Sequence, residues 1–158
     1  MADRKTTGPL MAAGVMLGIG MGGFVDGIVL HQIAQVHAML SAKVSMHTMD
    51  GMRTNMTADG WFHVFDWVST LIGIVLLFRA GKRADALWSG RVLAGGMLFG
   101  WGLFNLVEGI IAHHLLGLHQ FIQRLGPSAW DLAYLGSGVL LMLAGWGLGR
   151  SGRAAGPR

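Results

Sequence analysis

Four long apolar stretches constrain this 158-residue chain more than any other feature. They cover residues 10–30, 61–78, 92–116 and 132–146. A helix needs roughly 20 apolar residues to cross the hydrocarbon core of a bilayer. Inside that core every backbone N–H and C=O must be paired within the chain, and a helix does this by itself. The expected fold is therefore all-α: a bundle of four transmembrane helices forming one integral membrane domain over 1–158. Charged residues make up only 13%, about half the share usual in soluble domains. The 26 glycines against 3 prolines suit helices that approach closely in lipid. There is no cysteine, which excludes disulfides, thiolate metal sites and cysteine nucleophiles. The first stretch follows Arg4 and Lys5 as in a signal peptide. No A-x-A-like cleavage site follows it, and its pattern recurs later, so it is read as a spanning helix.

The net charge of +4 is read as a topology signal and not as nucleic-acid binding. Arg4, Lys5, Arg79, Lys82, Arg83, Arg91, Arg150, Arg153 and Arg158 fall on one side of a four-span topology, and Lys43, Arg53 and Arg124 on the other. The positive-inside rule then places both termini and the 79–91 loop in the cytoplasm, with the 40–60 loop outside. The bilayer is the implied partner; self-association and membership of a membrane complex are both open.

The apolar stretches are not independent. Asp26-Gly27-Ile28 is followed by His31 and His37; 82 residues on, Glu108-Gly109-Ile110 is followed by His113 and His119. Gly14, Gly18 and Gly20 recur at the same offset as Gly96, Gly100 and Gly102. More weakly, His63-Val64-Phe65-Asp66 aligns with Asp131-Leu132-Ala133-Tyr134. This predicts a duplicated helix pair, 1–80 and 91–150, followed by a basic tail, 151–158. Each unit holds two helices, so both insert the same way, related by a pseudo-twofold along the membrane normal. The two acid-Gly-Ile-x-x-His segments then lie at equal depth. With 1.5 Å per residue, Asp26 sits roughly 6 Å below the outer boundary of the core.

Ionisable groups at such a depth are costly, about 2.5–3.5 kcal/mol for an Asp, and usually functional. Asp26, His31, His63, Asp66, Glu108 and His113 are expected at one level, with His37, His114 and His119 nearby. Carboxylate and imidazole together suit a copper, zinc or iron ion. A plain hydrogen-bond network would use the same groups. On a straight helix His31 is rotated about 140° from Asp26. One ion is therefore expected to take both only if Gly27 and Gly109 mark kinks, and Asp26 with His63 or Asp66 is the easier pairing. The outer loop carries Met46, His47, Met49, Met52 and Met56, whose thioethers suit Cu(I) capture. A haem b electron carrier with His31 and His113 as axial ligands is a second expectation. An ion- or proton-coupled transporter or a structural membrane subunit is a third. No nucleophile elbow, P-loop or dinucleotide fingerprint marks a catalytic residue.

The segments Gly23-Phe24-Val25-Asp26-Gly27-Ile28-Val29-Leu30-His31-Gln32 and Asn105-Leu106-Val107-Glu108-Gly109-Ile110-Ile111-Ala112-His113-His114-Leu115-Leu116-Gly117, with Phe62-His63 and Trp130-Asp131-Leu132, resemble a bacterial membrane family known as domain of unknown function 2243. The resemblance runs from the first helix to the fourth. It implies a four-helix membrane protein without an agreed activity. Matched to its pattern, Asp26, His31, His37, His63, Glu108, His113, His114, His119 and Asp131 are the implied functional positions.

Overall fold

The structure, a computed structural model, describes residues 6–154. Helix α1 spans Gly8–Phe24 and runs on unbroken into a π-helical segment, Val25–Ile33. Helix α2 spans Met49–Gly81. Helix α3 spans Gly90–Glu108 and also continues as a π-helix, Gly109–Leu115. A short 3-10 turn, Gln123–Leu125, leads to α4, Ala129–Ala154. All four helical stretches are long and apolar enough to cross a membrane, as the sequence predicts.

Local sequence sets the helix starts. Pro9 occupies the first turn of α1, where its missing N–H is not needed. Thr48 caps α2 by accepting from the Gly51 N–H at 3.1 Å, and Ser89 caps α3 through Val92. At α4, Asp131 Oδ2 reaches back to the Ser128 N–H at 2.8 Å, as in a capping box. Helix α2 begins at Met49, twelve residues before the apolar stretch that announces it. At 1.5 Å per residue its 33 residues measure about 50 Å, against a core of about 30 Å. Hydropathy reports only the part that lipid can cover. The 40–60 loop expected from sequence is therefore mostly the first turns of α2.

Helices α1 and α3 lie in the middle, with α2 packed on α1 and α4 on α3. Half of the apolar span of α1 is buried but only 17% of that of α2, so the outer helices present most of their apolar residues outward. The central crossing depends on glycine: a Cβ on Gly14 would sit 2.6 Å from the Leu93 carbonyl oxygen and 3.0 Å from the Gly96 Cα. Small residues there let the two backbones touch.

Candidate metal centre

A π-helix closes each hydrogen bond five residues back instead of four. Side chains five apart are thereby brought nearly into line. Asp26 and His31 are five apart, as are Glu108 and His113, and both pairs lie within the π-helical ends or at their first turn. His31 Nε2 is 3.2 Å from Asp26 Oδ2, and His113 Nε2 is 3.4 Å from Glu108 Oε1. The straight-helix argument against an Asp26–His31 pair is thus corrected: the helix widens and does not kink at Gly27 and Gly109. A left-handed residue then ends each segment, Gln35 at φ 51° and Gly117 at φ 54°. Behind it the Val36 N–H reaches the Leu30 carbonyl at 3.0 Å, and the Leu118 N–H the Ala112 carbonyl at 2.7 Å. This reversal returns His37 and His119 over the helix ends. His119 Nε2 lies 3.0 Å from Glu108 Oε1, and His37 Nε2 3.9 Å from Asp26 Oδ1.

Four imidazoles and two carboxylates thus share one buried chamber. The rings of His31, His37, His113 and His119 pack with centroids 4.5 to 6.2 Å apart. Their outer nitrogens are held by a second set of groups. His37 Nδ1 donates to the Phe121 carbonyl at 2.8 Å and His119 Nδ1 to the Met39 carbonyl at 3.0 Å. A carbonyl only accepts, so both rings carry a proton on Nδ1 and turn Nε2 inward. His31 Nδ1 donates to Asp59 Oδ1 at 2.9 Å; His113 Nδ1 faces Asp131 Oδ1 at 3.0 Å. The same carboxylate oxygens accept from the Met39 N–H at 2.9 Å and the Phe121 N–H at 2.8 Å. Burial, and then the neighbouring His119, push the His37 imidazole down to about 4, which keeps it neutral at pH 7.

These contacts come in pairs. Residues of the first helix and its loop match those of the third at an offset of 82. Asp59 and Phe62 match Asp131 and Tyr134 at an offset of 72. Phe62 stacks on His31 as Tyr134 stacks on His113. The register His63-Val64-Phe65-Asp66 against Asp131-Leu132-Ala133-Tyr134 is therefore corrected by four residues, since Asp59 and not His63 is the counterpart of Asp131. The chain from His37 to Asp59 is ten residues longer than that from His119 to Asp131, which hides the match from a fixed offset.

Asp26 Oδ2, both oxygens of Glu108, and Nε2 of His31, His37 and His119 are buried without a hydrogen-bond partner. Buried polar groups are normally paired. These six inward-facing atoms face one another across the chamber at 3.0 to 3.9 Å, so protons on the imidazoles or a bound cation would satisfy them. Two triplets have ligand atoms close enough to hold one ion: His31, His37 and His119, and Glu108, His113 and His119.

The other candidates lie elsewhere. His63 Nε2 accepts from Gln32 Nε2 at 2.9 Å, and its Nδ1 faces Asp66 Oδ2 at 3.3 Å. Asp66 is fully buried against Gly23, where an added Cβ would strike it. The expected convergence of His63 and Asp66 with Asp26 is replaced by this separate pair. His114 points away and donates to the Gly109 carbonyl at 2.9 Å. Met46, His47 and Met52 line an open cavity of about 720 Å³ whose wall includes His31 and His37. Met49 and Met56 are exposed on a different groove. Asp59 is a positioning residue that the sequence reading missed; the shared pattern Asp-x-x-aromatic at Asp59-Gly60-Trp61-Phe62 and Asp131-Leu132-Ala133-Tyr134 carries the signal for it.

No curated protein and no solved structure matches the chain. Residues 13–152, which take in most of all four apolar helices and both acid-Gly-Ile-x-x-His segments, match the family described as Predicted membrane protein (DUF2243), and the chain belongs to that family.

Proposed function

We propose that this protein binds a metal ion of the copper, zinc or iron class in a chamber at one end of its helix bundle. The ligands are drawn from Asp26, His31, His37, Glu108, His113 and His119. One observation carries the reading: His119 Nε2 faces a carboxylate oxygen of Glu108 at 3.0 Å in a buried site, with no hydrogen bond of ordinary geometry between them. Two acceptors at that distance repel unless a cation or a proton lies between them. The outer bonds from Nδ1 to Asp59 and two carbonyls, with Asp131 facing His113 Nδ1, are the usual supports of metal-ligating histidines. Glu108, His113 and His119 form a two-histidine, one-carboxylate set, which suits non-haem iron; three imidazoles alone suit zinc or copper. Four rings packed this closely, His37 face to face on His119 and the other pairs edge to face, suit a small ion better than the flat macrocycle of haem b.

The paired contacts support reading the chain as a duplicated helix pair, 1–80 and 91–150. The basic residues support a bacterial cytoplasmic membrane with both termini inside and the chamber facing outward; Arg4, Lys5 and Arg158 lie outside the described residues. Met46, His47 and Met52 then form the loading route from the outer surface to His31 and His37, with thioethers suited to Cu(I). The experiment is reconstitution of gently purified protein with Cu, Zn, Fe and Mn, followed by elemental analysis and an absorption spectrum. Stoichiometric metal without a Soret band is the expected result. A Soret band selects haem b. Neither metal nor haem selects a proton- or ion-coupled transport role, or a structural one.

A further inference from the structure

Helix α4 turns a stripe of exposed side chains outward at the end of the bundle away from the chamber. Val139, Leu143, Trp146, Arg150 and Arg153 recur at alternate spacings of four and three. At about 100° per residue they share one face of the helix, within an arc of roughly 80°. All five are exposed, whereas Gly145, Gly149 and Gly152 of the same helix are buried against α3. The stripe therefore faces lipid.

Its chemistry changes along the helix as the chemistry of a phospholipid does. Val139 and Leu143 lie within the apolar stretch. Arg150 and Arg153 follow Tyr134, which stacks on the chamber, by 16 and 19 residues. That is about 24 and 28 Å along the helix, close to the thickness of the hydrocarbon core. Both guanidinium groups thus come to the headgroup level of the opposite leaflet, with Trp146 at the boundary where indole rings settle. Arg150 Cζ lies 4.7 Å from the Trp146 ring centroid. A guanidinium stacked by its face keeps its N–H edge free for a phosphate. Trp146, Arg150 and Arg153 line one groove of about 660 Å³.

Helix α2 repeats the spacing with a different ending. Leu71, Val75, Phe78 and Lys82 follow the same register, with Lys82 Nζ 4.4 Å from the Phe78 ring centroid. The next place, which Arg153 fills in α4, holds Asp85. Among the described residues Arg83 with Asp85, at 2.8 Å, is the one arginine ion pair; Arg150 and Arg153 have no carboxylate partner. Two unpaired cations end the stripe on α4, and a cation beside an acid ends it on α2.

We propose that Trp146, Arg150 and Arg153 bind the phosphate of an anionic phospholipid whose acyl chains lie along Leu143 and Val139. The apolar residues continuous with the two arginines select a lipid over a soluble anion, and the α2 stripe, with Asp85, does not bind one.

The test is native mass spectrometry of the full chain in detergent, titrated with phosphatidylglycerol or with phosphatidylcholine of the same acyl chains. Wild type should hold one phosphatidylglycerol more tightly than phosphatidylcholine. Arg150→Gln with Arg153→Gln should weaken phosphatidylglycerol binding about thirtyfold, the loss of two basic contacts to an anionic headgroup, and Lys82→Gln should change it by less than about twofold. If the double variant does not fold, Arg153→Gln alone should lose about fivefold. No preference for phosphatidylglycerol in wild type, no loss in the arginine variants, or an equal loss in Lys82→Gln overturns the proposal. Displacement of the lipid by millimolar inorganic phosphate also overturns it, because the groove is then a site for soluble anions.

Discussion

Asp59→Asn should weaken metal binding without touching an atom of the proposed ligand set. Asp59 Oδ1 holds both His31 Nδ1 and the Met39 N–H, each at 2.9 Å. The Met39 carbonyl in turn holds His119 Nδ1 at 3.0 Å. One carboxylate thus orients two of the four imidazoles, one directly and one through a peptide unit. A charge-assisted hydrogen bond is roughly twice as strong as a neutral one. Loss of an outer support of this kind typically costs about 10–100-fold in metal affinity, or about 1.4–2.7 kcal/mol. Because two ligands depend on Asp59, the upper end of that range is expected. The assay is competition against a chelator of known affinity, with the melting temperature followed in parallel. Asp66→Asn is the control: Asp66 is also buried and feels the charge of Asp26 and His31, yet its contacts are with His63 and Gly23 and it bonds none of the four imidazoles. It should change stability and leave metal affinity within about twofold, well below the loss from a missing outer support. Equal losses in the two variants, or none in Asp59→Asn, would refute the assignment of Asp59 as a positioning residue.

Other consequences are open to measurement. The His37 imidazole titrates near 4 in the folded protein and near 6.5 in the unfolded chain. Between those values only the unfolded chain takes up the proton, so metal-free protein should lose stability as pH falls from 6.5 towards 4. The loss from this group is about 3 kcal/mol, and a His37→Gln variant with the same pH profile as wild type would contradict it. Replacing Met46 and Met52 by Leu should slow Cu(I) loading while Met49→Leu and Met56→Leu do not, since only the first two line the cavity that reaches His31 and His37. Equal loading rates in all four would remove the route. Reporter fusions should place residue 50 outside the cell and residue 85 inside; the reverse would invert the assigned orientation.

Much of the architecture is legible in the sequence because lipid imposes a simple rule on composition. Four apolar stretches become four helices, and the glycines shared by the first and third mark the contact between them. The repeat of Asp26, His31 and His37 in Glu108, His113 and His119 singles out the six groups that line the chamber. Their mutual geometry is less accessible. A spacing of five residues implies opposite faces on an α-helix and one face on a π-helix, and no local pattern distinguishes the two before the structure is known. The turn that brings back His37 uses Gln35 in a left-handed conformation, a place where glycine is the readable signal and where only the second copy, Gly117, has it. His63 and Asp66 sit at a suitable depth, but depth alone does not give the direction of a side chain. Asp59 lies outside the apolar stretch that marks α2, so hydropathy gives no reason to place it beside the chamber.

The most direct test of the central claim is the metal content of His119→Ala beside wild type and His63→Ala, each purified and reconstituted in the same way. His119 belongs to both triplets that can hold an ion, whereas His63 belongs to neither. Stoichiometric metal in wild type and His63→Ala, with most of it lost in His119→Ala, is the predicted result. A metal-free wild type, or full occupancy in His119→Ala, would contradict the account.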